Sequence, residues 1–291
     1  MSAGSEATVV RCSDASRAAG EPLHATAPSV TRWLLVEAPG GWPRDVGRGQ
    51  GLPAGAGSAV AAWLERTPGS RLLHVRRPRR SAAGVSVFVV RSEEHAGEVR
   101  RLELGAAGEL AHADLDRDGQ TIEQPLVLVC GHGSRDACCA RRGAELYAAL
   151  ERELPEEALW FSSHHGGHRF APNVLLLPLG LHFGRVDPAA GPAVVASALA
   201  GRIELELYRG RTCYDARVQA AEHAVRTAYG VHDVHGARLA AVEDDLVRFV
   251  LADGSGVAAT VEERVGPAVP ASCGEEPAPQ GHLRATVRAG A

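Results

Sequence analysis

Lysine is missing from this chain of 291 residues, and all 31 of its basic residues are arginine. These are outnumbered by 35 acidic residues, so the formal net charge at pH 7 is −4. No broad basic field is therefore available to attract the phosphates of a nucleic acid. We expect no nucleic acid among the partners of this protein.

Long apolar stretches are also missing. No run approaches the roughly 20 apolar residues that a membrane-spanning helix needs. A secretory signal has a basic start followed by an apolar segment. The first thirty residues lack this pattern. We expect no membrane span and a location in the cytoplasm.

The six cysteines do not have the spacing of a disulfide framework. In a reducing compartment, unevenly spaced cysteines are typical of metal ligands, redox groups or buried thiols. Cys12, Cys213 and Cys273 stand alone in the sequence, and we expect them to be buried or inert thiols. The other three cysteines, with five of the thirteen histidines, lie between residues 126 and 186.

The apolar runs predict two units with the same order of elements: strand, helix, strand, strand. Runs ended by Pro or Gly are typical of buried strands, and apolar residues at helical spacing indicate helices. In the first unit the predicted elements are the strand Trp33–Glu37, the helix Ser58–Glu65 and the strands Arg71–Val75, Val85–Val90 and Val99–Leu104. In the second they are the strand Pro125–Cys130, the helix Cys139–Leu154, the strands Ala158–Ser162, Asn173–Pro178 and His182–Val186, and a closing helix Pro188–Ala200.

The rest of the chain is predicted to form a loosely structured lead-in and a smaller tail. The first thirty residues are rich in Ser, Ala, Gly and Thr. After the closing helix we expect a strand at Ile203–Tyr208, a helix at Ala216–Tyr229 and a β-meander over residues 237–262. The last thirty residues are rich in Pro and Gly, and we expect them to be irregular apart from a strand at Leu283–Val287.

These elements predict an α/β or α+β protein, with mixed sheets flanked by helices. The polar, turn-rich segment over residues 105–123 marks a boundary between the two units. We therefore divide the chain into an N-terminal α/β unit at 1–110, a second unit at 120–210, and a helix with a β-meander tail at 211–291. The repeated order of elements predicts that the first two units are related halves.

Two cysteines and two histidines have positions that favour a shared metal. Cys130 ends a predicted strand, and Cys139 follows after eight intervening residues, near the start of a helix whose N-terminus favours a thiolate. His164 and His168 lie three intervening residues apart, and the glycines between them allow the backbone to curl so that both imidazoles face one point. Cys138 is an alternative ligand, or a replacement for Cys139.

Two occupants fit such a set of ligands. One is zinc in a closed tetrahedral site, and the other is a [2Fe–2S] cluster in which two histidines replace two cysteines. Zinc fingers have a gap of roughly two to four residues between cysteines. The gap of eight residues here therefore favours the cluster slightly.

The neighbouring histidines have supporting roles in this prediction. His165 is expected to be exposed or to stabilise a ligand, and not to bind the metal itself. His132 and His182 are expected to be ordinary loop or strand-end residues, within reach of a hydrogen bond that tunes the site.

The pattern C-x8-C-x24-H-x-G-G-H, followed by FAPNVLLLPLGLHFGRVDP, resembles the sucrase/ferredoxin-like family, also described as thioredoxin-like [2Fe–2S] ferredoxins. CSDASRAAGEPLHATAP at Cys12–Pro28 and WLLVEAPGGW at Trp33–Trp42 are similar to bacterial members. The resemblance implies a thioredoxin-like fold. It also implies a [2Fe–2S] cluster whose ligands are Cys130, Cys139, His164 and His168.

This resemblance implies an electron-transfer protein with an unidentified redox partner, which is more a carrier than an enzyme. Two neutral imidazoles in place of two thiolates make the cluster less negative, so we expect a raised redox potential that depends on pH. A zinc-stabilised structural or interaction module with the same four ligands is the alternative. A thiol oxidoreductase using Cys138 and Cys139 is a third hypothesis, but adjacent cysteines lack the C-x-x-C spacing.

Overall fold

The computed structural model describes residues 11–78 and 84–288 of the chain. Over these residues the protein has five α-helices, a mixed sheet of ten strands and an antiparallel sheet of four strands. The predicted α+β class, with mixed sheets flanked by helices, is therefore confirmed. None of the helices in the described ranges has both the length and the apolar character that crossing a membrane requires.

The first unit has the predicted order of elements. Its first strand pairs in parallel with the second and antiparallel with the third, and the fourth pairs antiparallel with the third. A short fifth strand extends the edge next to the fourth. The short helix α1 (Cys12–Ala18) precedes the unit. The elements of the unit are β1 (Arg32–Glu37), α2 (Ala54–Arg66), β2 (Ser70–Arg76), β3 (Val85–Ser92), β4 (Gly97–Leu104) and β5 (Gln120–Ile122).

The second unit repeats this topology. Its first strand again pairs in parallel with the second and antiparallel with the third, which continues into an antiparallel fourth. The elements are β6 (Leu126–Cys130), α3 (Ala137–Leu150), β7 (Leu159–Ser162), β8 (Val174–Leu177), β9 (Leu181–Phe183) and α4 (Gly191–Leu199).

The two units share one continuous sheet. The equivalent strands β2 and β7 pair antiparallel at its centre, with Val75 opposite Ser162. Equivalent strands then follow in the same order on both sides of this pair, as an approximate twofold axis requires. This arrangement supports the predicted pair of related halves, while the division at residues 110, 120 and 210 stays a prediction.

Strand β6 is buried on both faces, which explains its continuous apolar run. Val127 and Val129 pack in a cluster with residues of α3 and α4. Leu126 and Leu128 face the other side, in a cluster with residues of β1, β2 and β3. Cys130, at the carboxyl end of β6, is therefore held in a rigid position.

The C-terminal part adds an edge strand, a helix and a separate antiparallel sheet. These elements are β10 (Tyr208–Arg211), α5 (Ala216–Tyr229), β11 (Ala237–Glu243), β12 (Leu246–Leu251), β13 (Gly256–Val269) and β14 (Ala278–Arg288). Apolar residues of α5, such as Val218 and Val225, pack on the four-stranded sheet with Phe249. Helix α5 has the bounds expected from the sequence, and the β-meander predicted over residues 237–262 is formed by β11, β12 and β13, the last of which continues to Val269.

Three predictions outside the main units were wrong. The lead-in contains α1 at Cys12–Ala18, and residues 203–207 form a loop and turn before β10, which begins at Tyr208. The alternation of this segment arises because Ile203 is buried in the core while Glu204 and Glu206 are exposed. The last region, expected to be irregular apart from Leu283–Val287, contains the longer eleven-residue strand β14, whose one proline and one glycine are tolerated because it is an edge strand.

Candidate metal centre

Three of the four predicted ligands meet at the carboxyl end of β6. The Nδ1 atom of His164 lies 3.8 Å from the Sγ atom of Cys130 and 3.7 Å from the Sγ atom of Cys139. The three donor atoms all lie within 4.8 Å of one another. Both cysteines are buried, whereas His164 lies at a partly exposed edge of the group.

A glycine on α3 makes this close arrangement possible. A Cβ atom at Gly143 would lie 2.1 Å from the carbonyl oxygen of Cys130, so no larger residue fits there. Cys139 is four residues before Gly143 and therefore lies on the same face of α3. The close packing of the helix on β6 brings the Cys139 thiol to the Cys130 thiol.

The loop that carries the histidines is held by backbone conformation and by side-chain donors. Gly166 and Gly167 have φ angles of 105° and 70°, in the region that favours glycine. A Cβ atom at Gly167 would also collide with the guanidinium group of Arg209. Arg209 Nη1 donates a 2.9 Å hydrogen bond to the Gly166 carbonyl, and Asn173 Nδ2 donates one of 2.9 Å to the Gly167 carbonyl.

The backbone of His164 is fixed in the same way. Arg71 Nη2 donates a 2.8 Å hydrogen bond to the His164 carbonyl oxygen. The His164 N–H donates to His132 Nδ1 at 3.1 Å, and His132 Nε2 lies 2.9 Å from the carbonyl of Pro43. His132 thus forms the hydrogen bond near the site that the sequence predicted as a tuning contact.

His168 lies beside the other three residues but outside their contact group. Its ring centroid is 5.0 Å from that of His164. Its Nε2 atom lies 2.8 Å from Ser272 Oγ, whereas its Nδ1 atom is buried without a hydrogen-bond partner among the described residues. A metal-bound Nδ1 would remove this unsatisfied polar group.

The two buried thiols lie close together, and their pKa values move in opposite directions. The pKa of Cys130 is lowered well below its usual value, first by the hydrogen bond from Cys139 and also by His164. The pKa of Cys139 is raised, because its proton is held in that hydrogen bond and because it is buried. One thiolate, which is the form that binds metals, is therefore favoured in the folded protein.

His165 is fully buried, so of its two expected roles the exposed one is wrong, and it lies outside the group of donor atoms formed by Cys130, Cys139 and His164. Its Nδ1 atom lies 2.9 Å from His182 Nε2, and Arg209 Nη1 donates to the same atom of His182 at 3.1 Å. Since arginine can only donate, His182 Nε2 accepts both bonds and His165 Nδ1 carries a proton. Burial lowers the pKa of His165 to about 3, so this pair is neutral.

Sequence reasoning missed the buried arginines of the site. Arg209 is 1% exposed and lies in β10, whose four residues are all buried. Its positive charge interacts with Cys130 and Cys139. The signal that could have revealed it is a charged residue next to glycine in a short strand that follows the motif.

The structure separates the adjacent cysteines into two groups. Cys139 contacts the first centre, whereas the Sγ atom of Cys138 lies near those of Cys12 and Cys273. Successive residues on a helix point about 100° apart, which explains the separation. Cys12 is buried as expected and Cys273 is partly buried, but their meeting with Cys138 was not predicted, and the paired cysteines were the signal for this second group.

A sequence model of the family described as sucrase/ferredoxin-like matches residues 23–210 of this chain. The protein called "Altered inheritance of mitochondria protein 32" from Saccharomyces cerevisiae is 37% identical over 116 residues, covering 35% of this chain and 37% of that protein. The proteins of the same name from Clavispora lusitaniae and Debaryomyces hansenii are 39% and 34% identical, over 31% and 33% of this chain and 36% and 39% of their own lengths. The chain thus matches little more than a third of these curated relatives, and no solved structure matches it.

Proposed function

The chain belongs to the sucrase/ferredoxin-like family, and from this membership and the geometry of the site we propose that it is an electron-transfer protein with one [2Fe–2S] cluster. The proposed ligands are Cys130, Cys139, His164 and His168. The observation that carries the proposal is the meeting of two thiols and an imidazole nitrogen at one point, beside a second imidazole whose Nδ1 is buried and unsatisfied.

The donor atoms fit such a cluster in kind. Thiolates and imidazoles are the ligands of clusters in which two histidines replace two cysteines. His164 lies at the partly exposed edge of the site, so a change of its side-chain torsion angles separates its Nδ1 atom from the two sulfurs without disturbing the core. Such a cluster supplies a change of iron valence, by which one electron is stored and released.

The protein's own charges favour the electron-rich state. Arg209 and Arg71 lie close enough to interact with the Cys130 thiolate, and both are withdrawn from solvent. A positive charge in a medium of low dielectric constant stabilises added negative charge nearby. These arginines and the two neutral imidazoles act together to raise the redox potential.

The histidines provide places for a proton. A histidine that binds metal through Nδ1 keeps its Nε2 atom free to hold or release a proton. Nε2 of His168 lies against Ser272 Oγ, and Nε2 of His164 belongs to a partly exposed ring. The redox potential is therefore proposed to depend on pH, because proton affinity rises when an electron is added.

A redox titration over a range of pH tests this proposal. We expect a midpoint between about −150 and about +300 mV, the range of clusters with two histidine ligands, against about −400 mV for plant-type ferredoxins. His164→Cys with His168→Cys should lower it and remove its pH dependence, whereas Cys213→Ser is the control that leaves both unchanged. A midpoint that stays flat from about pH 6 to about pH 10 contradicts the assigned histidine ligands.

A zinc-stabilised module is the second candidate, and one observation favours it. Ligands around a single tetrahedral zinc, with bonds of about 2.3 Å to sulfur and about 2.0 Å to nitrogen, stand about 3.5 to 3.8 Å apart. The distances from His164 Nδ1 to the two sulfurs are 3.8 and 3.7 Å. Stoichiometric zinc and no iron at these ligands would decide for this candidate.

The remaining parts of the proposal concern partners and location. The protein is proposed to act as a carrier that exchanges electrons with a partner protein, and to reside in the cytoplasm. The name of the yeast relatives refers to inheritance of mitochondria, so fractionation of cells that produce the tagged full chain is the test of its location. Recovery with a mitochondrial fraction would contradict the cytoplasmic assignment.

A further inference from the structure

A second group of metal-ligand side chains lies where α1, the start of α3 and the loop between β13 and β14 meet. Its members are Cys12, Asp136, Cys138 and Cys273, whose ligand atoms all lie within 4.8 Å of one another. We propose that these four residues bind a single zinc ion in a closed structural site, separate from the first centre.

The distances between the donor atoms fit one ion. The Sγ atoms are separated by 3.7 Å between Cys12 and Cys138, 3.3 Å between Cys138 and Cys273, and 3.6 Å between Cys273 and Cys12. Asp136 Oδ1 lies 3.4 Å from the Cys273 sulfur and 3.8 Å from the Cys12 sulfur. Around a tetrahedral zinc, sulfurs stand about 3.8 Å apart and oxygen stands about 3.5 Å from sulfur.

This arrangement fits zinc better than a disulfide or an iron–sulfur cluster. A disulfide joins two sulfurs and would leave the third thiol of the group unused. A [2Fe–2S] cluster binds at most two cysteines on one iron, so a third cysteine would bind the other iron and lie farther away, whereas the three sulfurs here are all 3.3 to 3.7 Å apart. Three thiolates and a carboxylate are a donor set that zinc accepts.

The surroundings support an ion with anionic ligands. Cys12, Asp136 and Cys138 are at most 5% exposed, as a closed site requires. The carboxylate of Asp136 accepts hydrogen bonds from the backbone N–H groups of Cys138 at 2.8 Å and Cys273 at 2.9 Å, which fix its orientation. Ser13 Oγ donates to the Cys138 sulfur at 3.2 Å.

An arginine supports this site through Ser13. Arg142 Nε donates to Ser13 Oγ at 2.9 Å, and its guanidinium also pairs with Asp14. The start of α3 adds the positive end of the helix dipole. Binding of zinc displaces the thiol protons to solvent and leaves the thiolates bound to the ion.

The ion would join parts of the chain that are far apart in sequence. Cys12 and Cys138 are 126 residues apart, and Cys138 and Cys273 are 135 residues apart. Closing such long loops restricts the unfolded chain and stabilises the fold. Because Ser272 next to Cys273 contacts His168, the ion would also fix the loop that contacts this histidine.

Thiol mapping of the unmodified full chain tests the site without a variant. The protein is treated with iodoacetamide under native conditions, with and without a zinc chelator, and each cysteine is scored by mass spectrometry. We expect about one zinc per chain, and labelling of Cys12, Cys138 and Cys273 that requires the chelator. Cys213 is the internal control, whose labelling should not depend on the chelator.

Variants then assign the zinc to one centre. Cys12→Ser and Cys273→Ser should lose the zinc while any iron and its visible absorption are retained, and Cys213→Ser should lose neither. Retention of zinc in these two variants with its loss in Cys130→Ser would overturn the proposal, since the ion then belongs to the first centre. Unmodified protein that holds no zinc, or that carries a disulfide between Cys138 and Cys273, would also overturn it.

Discussion

Replacing Gly143 by alanine separates the integrity of the first centre from the stability of the fold. The new Cβ atom would lie 2.1 Å from the Cys130 carbonyl oxygen. Carbon and oxygen atoms that are not bonded rarely come closer than about 3 Å, so α3 must move from β6 by about 1 Å. Cys139 moves with the helix.

The two expected effects differ in size. Overpacking destabilises a protein by about 1 to 3 kcal/mol, whereas alanine favours a helix by about 1 kcal/mol over glycine. The net loss in the free energy of unfolding is therefore about 1 kcal/mol. Metal ligands tolerate errors of only about 0.2 Å, so a shift of about 1 Å should remove most of the bound metal.

Iron, sulfide and zinc content per chain, with thermal unfolding of the same samples, measures both effects. Gly108→Ala is the matched control, because a Cβ atom at Gly108 meets no other atom within 4 Å. We expect Gly143→Ala to be folded but largely free of metal at the first centre, and Gly108→Ala to match the unmodified protein. Full metal content in Gly143→Ala would refute the reasoning.

Three further perturbations have expected outcomes. Burial lowers the pKa of His74 to about 4; since the unfolded imidazole takes up its proton near pH 6.5, stability is lost as the pH falls from about 6.5 towards about 4, by about 2 kcal/mol at pH 5. Denaturant titrations of His74→Leu should show a loss of stability at pH 5 that is smaller by this amount. An unchanged dependence of stability on pH would contradict the assignment of this loss to His74. Arg209→Gln should lower the redox midpoint, because it removes a positive charge that interacts with the cysteines of the first centre. Arg211→Gln is the control, since this buried arginine donates to the carbonyls of Leu179 and Glu94 and its loss should leave the midpoint unchanged; equal shifts would exclude a specific charge effect. Ser272→Ala removes the hydrogen-bond acceptor of His168 Nε2–H. The pKa of His168 in the oxidised protein, measured by redox titration over a range of pH, should therefore fall by up to about 1 unit, and an unchanged pKa would show that this contact does not hold the proton.

Local pattern was enough to predict the elements that form the first centre. The continuous apolar run before Cys130 identified β6, and the helical spacing after it identified α3, although the helix begins at Ala137 and not at Cys139. The glycines at 166 and 167 indicated a tight loop between two histidines, and both have positive φ angles. These features depend on short-range backbone preferences, which sequence expresses directly.

The features that the sequence did not predict depend on contacts between segments that are distant in the chain. No local pattern relates Cys12 to Cys273, which approach only because α1 and the β13–β14 loop pack on the start of α3. Arg209 likewise reaches the histidine loop across the sheet, from a strand that follows the motif by about forty residues. Only Leu283–Val287 of strand β14 was predicted, because the proline and glycine before it favour irregular structure, while an edge strand tolerates them.

The central claim is that the first centre holds a [2Fe–2S] cluster. Anaerobically purified full-length protein, analysed for iron, acid-labile sulfide and zinc, with visible and EPR spectra of the same sample, tests it most directly. The account predicts about two irons and two sulfides per chain at this centre, a red-brown colour, and a rhombic EPR signal on reduction that His164→Ala and His168→Ala each abolish or shift. Colourless protein that holds zinc and no iron at Cys130 and Cys139, even after cluster reconstitution, would contradict it.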